Sequence, residues 1–318
     1  MKILVTGGCG YVGSVLVKDL IDKDFEVIIV DTQWFGNYLA PHKNLKIIKS
    51  SFNKIDETYL YGVDSVIHLA NIANDPSVDL NPVLSWEVNA LATTELLELC
   101  KRSNIKQFVY ASSGSVYGVK DELNVTEDLD LVPISTYNKT KMVTERICLS
   151  YSDDFIVQCV RPATVCGVSP RMRFDVVVNM FVQQALMKKK ITILGGDQVR
   201  PNIHIKDMSN VYLHFLENKI DSGCFNAGFE NLTVKEIAEK VSKIIECDLE
   251  IQESNDPRSY RQDSSKLVKT GFKKMHSVDD AILEIKSSFD ENKIKDNPRW
   301  YTVSWMKHLI ANGELNGS

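Results

Sequence analysis

Long apolar runs are missing from this chain. None approaches the roughly 18 consecutive residues that a membrane-spanning helix requires, so no membrane span is expected. Basic clusters are missing too: lysines and carboxylates are interspersed and the net charge is only −5, which leaves no positive stripe of the kind that nucleic acid or an anionic membrane surface demands. The seven cysteines are odd in number and share no C-x-x-C spacing, so neither a disulfide framework nor a metal site is expected, and a reducing cytoplasm fits. Internal repeats and low-complexity tracts are absent. The first residues read directly as a strand, without the flanks of a secretory signal, and a cleaved leader is not expected. These exclusions leave a soluble chain whose 318 residues suit one large two-lobed unit or two tightly joined domains.

The apolar run Ile3-Leu4-Val5 reads as a buried strand, and Val12, Leu16, Val17 and Leu20 form one stripe of a helix. Between them stands Thr6-Gly7-Gly8-Cys9-Gly10-Tyr11-Val12-Gly13. In a strand–turn–helix unit Gly7 permits the tight turn, Gly10 lets backbone approach a pyrophosphate, and Gly13 lets the helix pack against the strand, with free N–H groups and a positive helix end facing an anion. A dinucleotide is expected here, although the spacing alone also fits a glycine-rich turn with no ligand. The next strand, residues 26–30, ends at Asp31, where a carboxylate accepts from both adenosine ribose hydroxyls and repels a 2'-phosphate. No Arg or Lys follows in Thr32-Gln33-Trp34-Phe35. NAD is therefore favoured over NADP. Cys9, inside the turn, is expected as a small apolar filler rather than a reactive thiol.

Further strands are read at residues 45–49, 64–70, 106–111 and 155–160, with a helix-like stretch at 54–60 and long helices at 81–102 and 137–151. Strands alternating with helices imply crossover connections: an α/β, Rossmann-like doubly wound parallel sheet. Residues 1–162 are expected to form the dinucleotide-binding core. Residues 163–318 should supply mainly a smaller C-terminal substrate-binding lobe, with some segments returning to the core. There a helix at 176–187, a short strand at 191–194, and a helix capped by Thr233 with Glu236 completing a capping box are expected. Trp300, Tyr301 and Trp305 are expected to pack.

Tyr137 and Lys141 stand four positions apart at a helix start, on one face. An ammonium there favours phenolate over phenol, and the positive nicotinamide ring of oxidised NAD would add to it, lowering the tyrosine pKa from about 10, so that Tyr137 can take a hydroxyl proton while hydride leaves the same carbon. The pair alone also fits a surface helix. Ser112-Ser113-Gly114-Ser115-Val116-Tyr117-Gly118, at the carboxyl end of the preceding strand, supplies hydroxyls in the expected topological place.

With the glycine turn, His68-Leu69-Ala70, Arg161-Pro162 and Arg200-Pro201-Asn202-Ile203-His204 in the same order, the chain resembles an extended short-chain dehydrogenase/reductase of the nucleotide-sugar epimerase/dehydratase group. The resemblance implies NAD as cofactor, contacted by Gly7, Gly10, Tyr11, Val12, Gly13, Asp31, Leu69, Ala70, Asn89, Tyr137 and Lys141. It implies Tyr137 as base, Lys141 on the nicotinamide ribose, Ser113 on the reacting sugar oxygen, and Asn89 as support for the active-site backbone, although Asn89 also fits a helix-interior polar residue met by solvent. Ser113, Ser115, Asn179, Arg200 and Arg258 are implied as substrate contacts; Asn179 also fits a helix cap, and Arg261 equally fits a surface charge. A homodimer through a four-helix bundle is implied as well. Two departures stand out. Gly114 and Ser115 replace the acidic residues of family dehydratases and decarboxylases, so no carboxyl group is expected beside the sugar, and Ser51 replaces an Asp that meets adenine. The implied activity is oxidation at C4 of a GDP- or UDP-linked hexose or heptose, by a 4-dehydrogenase or as the first half of a 4-epimerase, in surface-glycan or capsule synthesis. GDP-heptose 4-dehydrogenase is its narrowest form; a UDP-hexose 4-epimerase with retained NAD and a catalytically silent sensor are the alternatives.

Overall fold

The structure is a computed structural model that describes residues 1–254 and 259–315. The first apolar runs become β1 (Lys2–Thr6), β2 (Glu26–Asp31), β3 (Leu45–Lys49), β4 (Ser65–His68), β5 (Gln107–Ala111) and β6 (Ile156–Pro162). Later come β7 (Thr164–Cys166), β8 (Lys190–Leu194), β9 (Val199–His204), β10 (Gly223–Ala227), β11 (Glu230–Thr233) and β12 (Asp248–Gln252). One seven-stranded sheet runs β10-β6-β5-β4-β1-β2-β3, all parallel. Strand order reverses between β1 and β4, the switch point outside which open α/β sheets bind ligands. Strands β11, β9 and β7 make a small second sheet, and β12 pairs with β8.

The helices in chain order are α1 (Tyr11–Asp22), α2 (Asp75–Val78), α3 (Pro82–Trp86), α4 (Ala92–Arg102), α5 (Thr136–Leu149), α6 (Val177–Lys188), α7 (Ile205–Glu217), α8 (Val234–Ile244), α9 (Ser265–Lys269), α10 (Val278–Asp290) and α11 (Thr302–Ala311). The long helix read over 81–102 is α3 and α4 joined by a π-helical turn, Glu87–Leu91. The stretch at 54–60 is not one helix but parts of two 3-10 turns, because Ile55 and Asp56 are extended and the Asp56 side chain starts a new turn on the Thr58 N–H. Thr233 and Glu236 form the expected capping box.

Strand side chains alternate between faces, and here both faces are covered, as a parallel sheet requires. Ile3, Val5, Val27 and Ile29 pack with Leu16, Val17 and Leu20 of α1 and Val211 and Phe215 of α7, while Leu4, Ile28, Val66 and Phe108 pack with Leu96, Leu97 and Cys100 of α4. A further core joins Phe181 and Val182 of α6 to Ile237 and Val241 of α8 and Ile282 and Ile285 of α10.

The Arg161-Pro162 motif acquires its reason in the core. Arg161 donates from Nη2 and Nε to both Glu145 oxygens at 2.6 and 3.0 Å and from Nη1 to the Tyr117 hydroxyl at 2.6 Å. Ser112 Oγ donates to Glu145 at 2.8 Å. One buried fork thus joins β6, α5 and the segment after β5. Removing the charge of one partner strands the other, so Glu145→Gln should cost about 3–5 kcal/mol of unfolding free energy in urea titrations; a loss below about 1 kcal/mol would show that the pair does not hold these elements together.

Candidate active site

The turn after β1 is glycine because neighbouring backbone leaves no room for a side chain. Gly7 has φ 74°, and a Cβ there would lie 2.7 Å from the Ala70 nitrogen just past β4; a Cβ on Gly13 would lie 2.4 Å from the Gly7 carbonyl oxygen. Gly10 is the N-cap of α1 with no side-chain cap, and no acid occupies the first turn, so the first N–H groups of the helix remain available. Asp31 Oδ2 accepts from the Cys9 N–H at 2.9 Å and Oδ1 from the Gln33 N–H at 2.7 Å, which orients the carboxylate against the turn. Burial raises its pKa, against those two hydrogen bonds. Cys9 is a buried filler whose thiol is pushed up to about 12 by burial and by Asp31. His68 bridges Thr6 and Thr93 at 2.6 and 2.9 Å, and burial, then the Lys141 charge, hold it neutral with a pKa near about 3.

A cavity of about 640 Å³ opens at the switch point and is lined by the glycine turn, Asp31, Leu69, Ala70, Ser113, Ser115, Tyr137, Lys141 and Arg200. Ser135 N-caps α5 by accepting from the Asn138 N–H, and the helix then presents Tyr137 and Lys141 to the cavity. Lys141 is 1% exposed. Its Nζ donates to the Ala111 carbonyl at 2.7 Å and lies 4.9 Å from the Tyr110 ring centroid and 5.9 Å from that of Tyr137. Ser113 and Ser115 hydroxyls are 2.7 Å apart, and Ser115 donates to Asn138 Oδ1 at 2.7 Å.

The expected electrostatics are corrected here. Burial and then the nearby Asp75 push the Tyr137 phenol up to about 12, outweighing the hydrogen bond with Ser113 and the charge of Arg173. Burial draws Lys141 down to about 7. In the protein by itself the lysine does not lower the tyrosine, because desolvation acts on both groups.

Two residues read as ligand contacts are placed behind the cavity wall. Asn89 accepts from the Ile72 N–H at 2.8 Å and donates to the Ile72 carbonyl at 3.1 Å and to Thr140 at 3.3 Å; from the π-helical turn it fixes the loop after β4 and meets no solvent. The Asn179 amide is fully occupied, accepting from the Gly167 N–H at 3.0 Å and donating to the Tyr11 hydroxyl and the Arg173 carbonyl, both at 2.9 Å. Arg258 lies outside the described residues. Carboxylates are present after all: Asp75, at the start of α2, accepts from the Ser135 hydroxyl, and Asp175 holds Arg173 at 2.8 and 3.1 Å. Both line the cavity, together with Arg171 and with Thr302, Val303 and Met306 of α11. No spacing rule marks these residues, since they come from a loop and from the far end of the chain. Trp300 is buried, and Trp305 donates to the Trp34 carbonyl at 2.6 Å.

These features fit a dinucleotide: a tight turn whose glycines neighbouring backbone leaves no room to replace, an uncapped helix start, and an oriented carboxylate at the end of the second strand. Residues 3–228 match the model of the NAD dependent epimerase/dehydratase family. A UDP-glucose 4-epimerase of Lactobacillus helveticus is 28% identical over 316 residues, 89% of this chain and 95% of its own. An uncharacterized UDP-glucose epimerase of Bacillus subtilis is 36% identical over 226 residues, 65% of this chain and 70% of its own. Among solved structures, a UDP-glucuronic acid 4-epimerase from Bacillus cereus, in complex with UDP-glucuronic acid and NAD, superposes with a TM-score of 0.81 at 27% identity, covering 92% of this chain and 100% of that one. The chain belongs to the NAD-dependent epimerase/dehydratase family, extended short-chain dehydrogenase/reductases, and is an enzyme that uses NAD.

The buried lysine makes a prediction about stability. Its pKa falls from 10.5 unfolded to about 7 folded, so between those values the unfolded chain binds more protons and stability rises with pH. Without dinucleotide, urea unfolding should show a cost of burying the Lys141 ammonium that is full below pH ~7 and is relieved by up to about 1.4 kcal/mol per pH unit towards pH ~10. Lys141→Met should lose that slope; an identical pH dependence in the variant would show that the ammonium is not buried at this cost.

Proposed function

We propose that this member of the NAD-dependent epimerase/dehydratase family oxidises C4 of a UDP-linked hexose and then re-reduces the ketone, a 4-epimerase working through Tyr137, Ser113 and Lys141. The observation that carries the reading is the convergence of these three residues on the same cavity as the glycine turn and Asp31. The relatives named as UDP-sugar epimerases support it.

NAD, when bound, supplies the hydride acceptor and a positive ring that favours phenolate. The chain's own residues handle the proton. Tyr137 receives it from the C4 hydroxyl, beside Ser113, whose hydroxyl favours the phenolate and lies 2.7 Å from that of Ser115. Lys141, anchored on the Ala111 carbonyl, keeps further N–H donors for a ribose hydroxyl. Asp75 and Arg173 oppose one another at the phenol, the first raising its pKa and the second lowering it.

The narrower options, a GDP-linked heptose and a 4-dehydrogenase releasing its ketone into cytoplasmic surface-glycan or capsule synthesis, use the same residues. A panel of UDP-, GDP- and dTDP-sugars, followed for C4 inversion and for net NADH, decides among them. Tyr137→Phe should lower kcat by about 10²–10⁴-fold on the accepted sugar. A silent sensor would leave every sugar unchanged in wild type and variant alike.

The reading includes a homodimer through the α3–α4 helix and α5, and the outward Val83 and Leu91 are 68% and 63% exposed. Sedimentation should give a dimer at micromolar concentration and a monomer for Leu91→Glu; a monomeric wild type would sink this part.

A further inference from the structure

The cavity carries a buried cation that makes no ion pair among the described residues, although the charges of Asp175 and Asp31 act on it. Arg171 is 3% exposed, and its Nε has no hydrogen-bond partner. The guanidinium lies 4.1 Å from the Phe35 ring centroid, and Nη2 donates to Thr302 Oγ1 at 3.3 Å. The loop after β2, the segment after β7 and α11 therefore meet on one side chain. Asp175 is committed to Arg173 by two hydrogen bonds. Burial, then the charge of Arg173, draws the Arg171 pKa down to about 9. A buried charge held this way is costly unless an anion joins it.

The position says which anion. Ser169 Oγ donates to the Tyr11 carbonyl at 2.7 Å and the Tyr11 hydroxyl to the Gly167 carbonyl at 2.8 Å, so the segment carrying Arg171 is pinned to the first turn of α1. That turn offers uncapped N–H groups, and Phe35 follows the strand that ends in Asp31. Arg171 lines the same cavity as Gly10, Tyr11 and Asp31, and its charge acts on the Asp31 carboxylate.

We propose that Arg171 is the side-chain half of the cofactor's pyrophosphate site, completing what the glycine turn begins and holding the dinucleotide on the enzyme between oxidation and re-reduction. This rests on the epimerase reading for its purpose and on the cavity alone for its geometry. Release of the cofactor then requires the fork to let go, and with it the contact among the three segments. A guanidinium suits two phosphate oxygens at once, which an ammonium does not.

The test compares wild type, Arg171→Lys, Arg171→Met and Thr302→Val, measuring NADH dissociation by stopped-flow fluorescence, the Kd of UDP, and thermal midpoints with and without NADH. Arg171→Met should release NADH roughly 10–100-fold faster, with Arg171→Lys and Thr302→Val intermediate and the Kd of UDP within about twofold of wild type. Without NADH, Arg171→Met should melt no lower than wild type, because a buried and incompletely hydrogen-bonded charge has been removed, and its gain in midpoint from NADH should shrink. Unchanged NADH release in Arg171→Met overturns the proposal. So does a shift of the loss onto UDP, which assigns the anion to the substrate, or a lower midpoint without NADH and normal affinity, which makes the residue structural. A wild type that binds no NADH overturns the cofactor reading as well; variants that merely match wild type overturn this one alone.

Discussion

Everything at the functional end of this molecule depends on how closely two pieces of backbone approach each other. The Gly7 Cα and the Ala70 nitrogen leave no space for a methyl group, and the Gly7 carbonyl reaches Gly13 in the same way. Because the turn lies that tightly against the end of β4, α1 begins directly above the switch point of the sheet, and its free N–H groups face the cavity. Asp31 is oriented by the Cys9 N–H of the same turn. A side chain at Gly7 or Gly13 would push α1 outwards and take the acceptor, the helix dipole and the cavity wall with it.

The cavity is electrostatically costly in several places at once. Tyr137 is held protonated, Lys141 and Arg171 are drawn below their ordinary pKa values, and burial is the leading cause in each case. Such charges are not there for the stability of the protein alone, since local rules are broken chiefly where a site needs them broken. A ligand with an anionic centre and a hydroxyl near Tyr137 relieves several of these costs together. Buried, pre-oriented groups of this kind also do not need to reorganise during proton transfer.

Much of this was legible in the sequence because it depends on short-range rules. The strand–turn–helix unit, Asp31 at the end of β2, the Tyr137/Lys141 pair and the Thr233 capping box each rest on residues within a few positions of one another, where period and spacing suffice. Asn89 and Asn179 illustrate the limit. Asn179 was read as a ligand contact and Asn89 as a contact or as a support for the active-site backbone; the Ile72 backbone holds the Asn89 amide in that supporting role, and the Gly167 and Arg173 backbone occupies the Asn179 amide. Positions 114 and 115 carry no carboxyl group, as read; the carboxylate whose charge acts on Tyr137 is Asp75, at the start of α2.

By itself, then, the sequence determined the parallel α/β sheet and the dinucleotide turn and marked Ser113, Tyr137 and Lys141 as candidates, since each is written in local periodicity and spacing. Only the tertiary structure decided the sign of the Tyr137 shift, the buried fork of Glu145 and Arg161, and the meeting of Phe35, Arg171 and Thr302. The physical reason is that desolvation and charge compensation are sums over everything packed around a group. Those neighbours come from separate segments, 16 residues apart for Glu145 and Arg161 and 131 for Arg171 and Thr302, and no spacing along the chain records them.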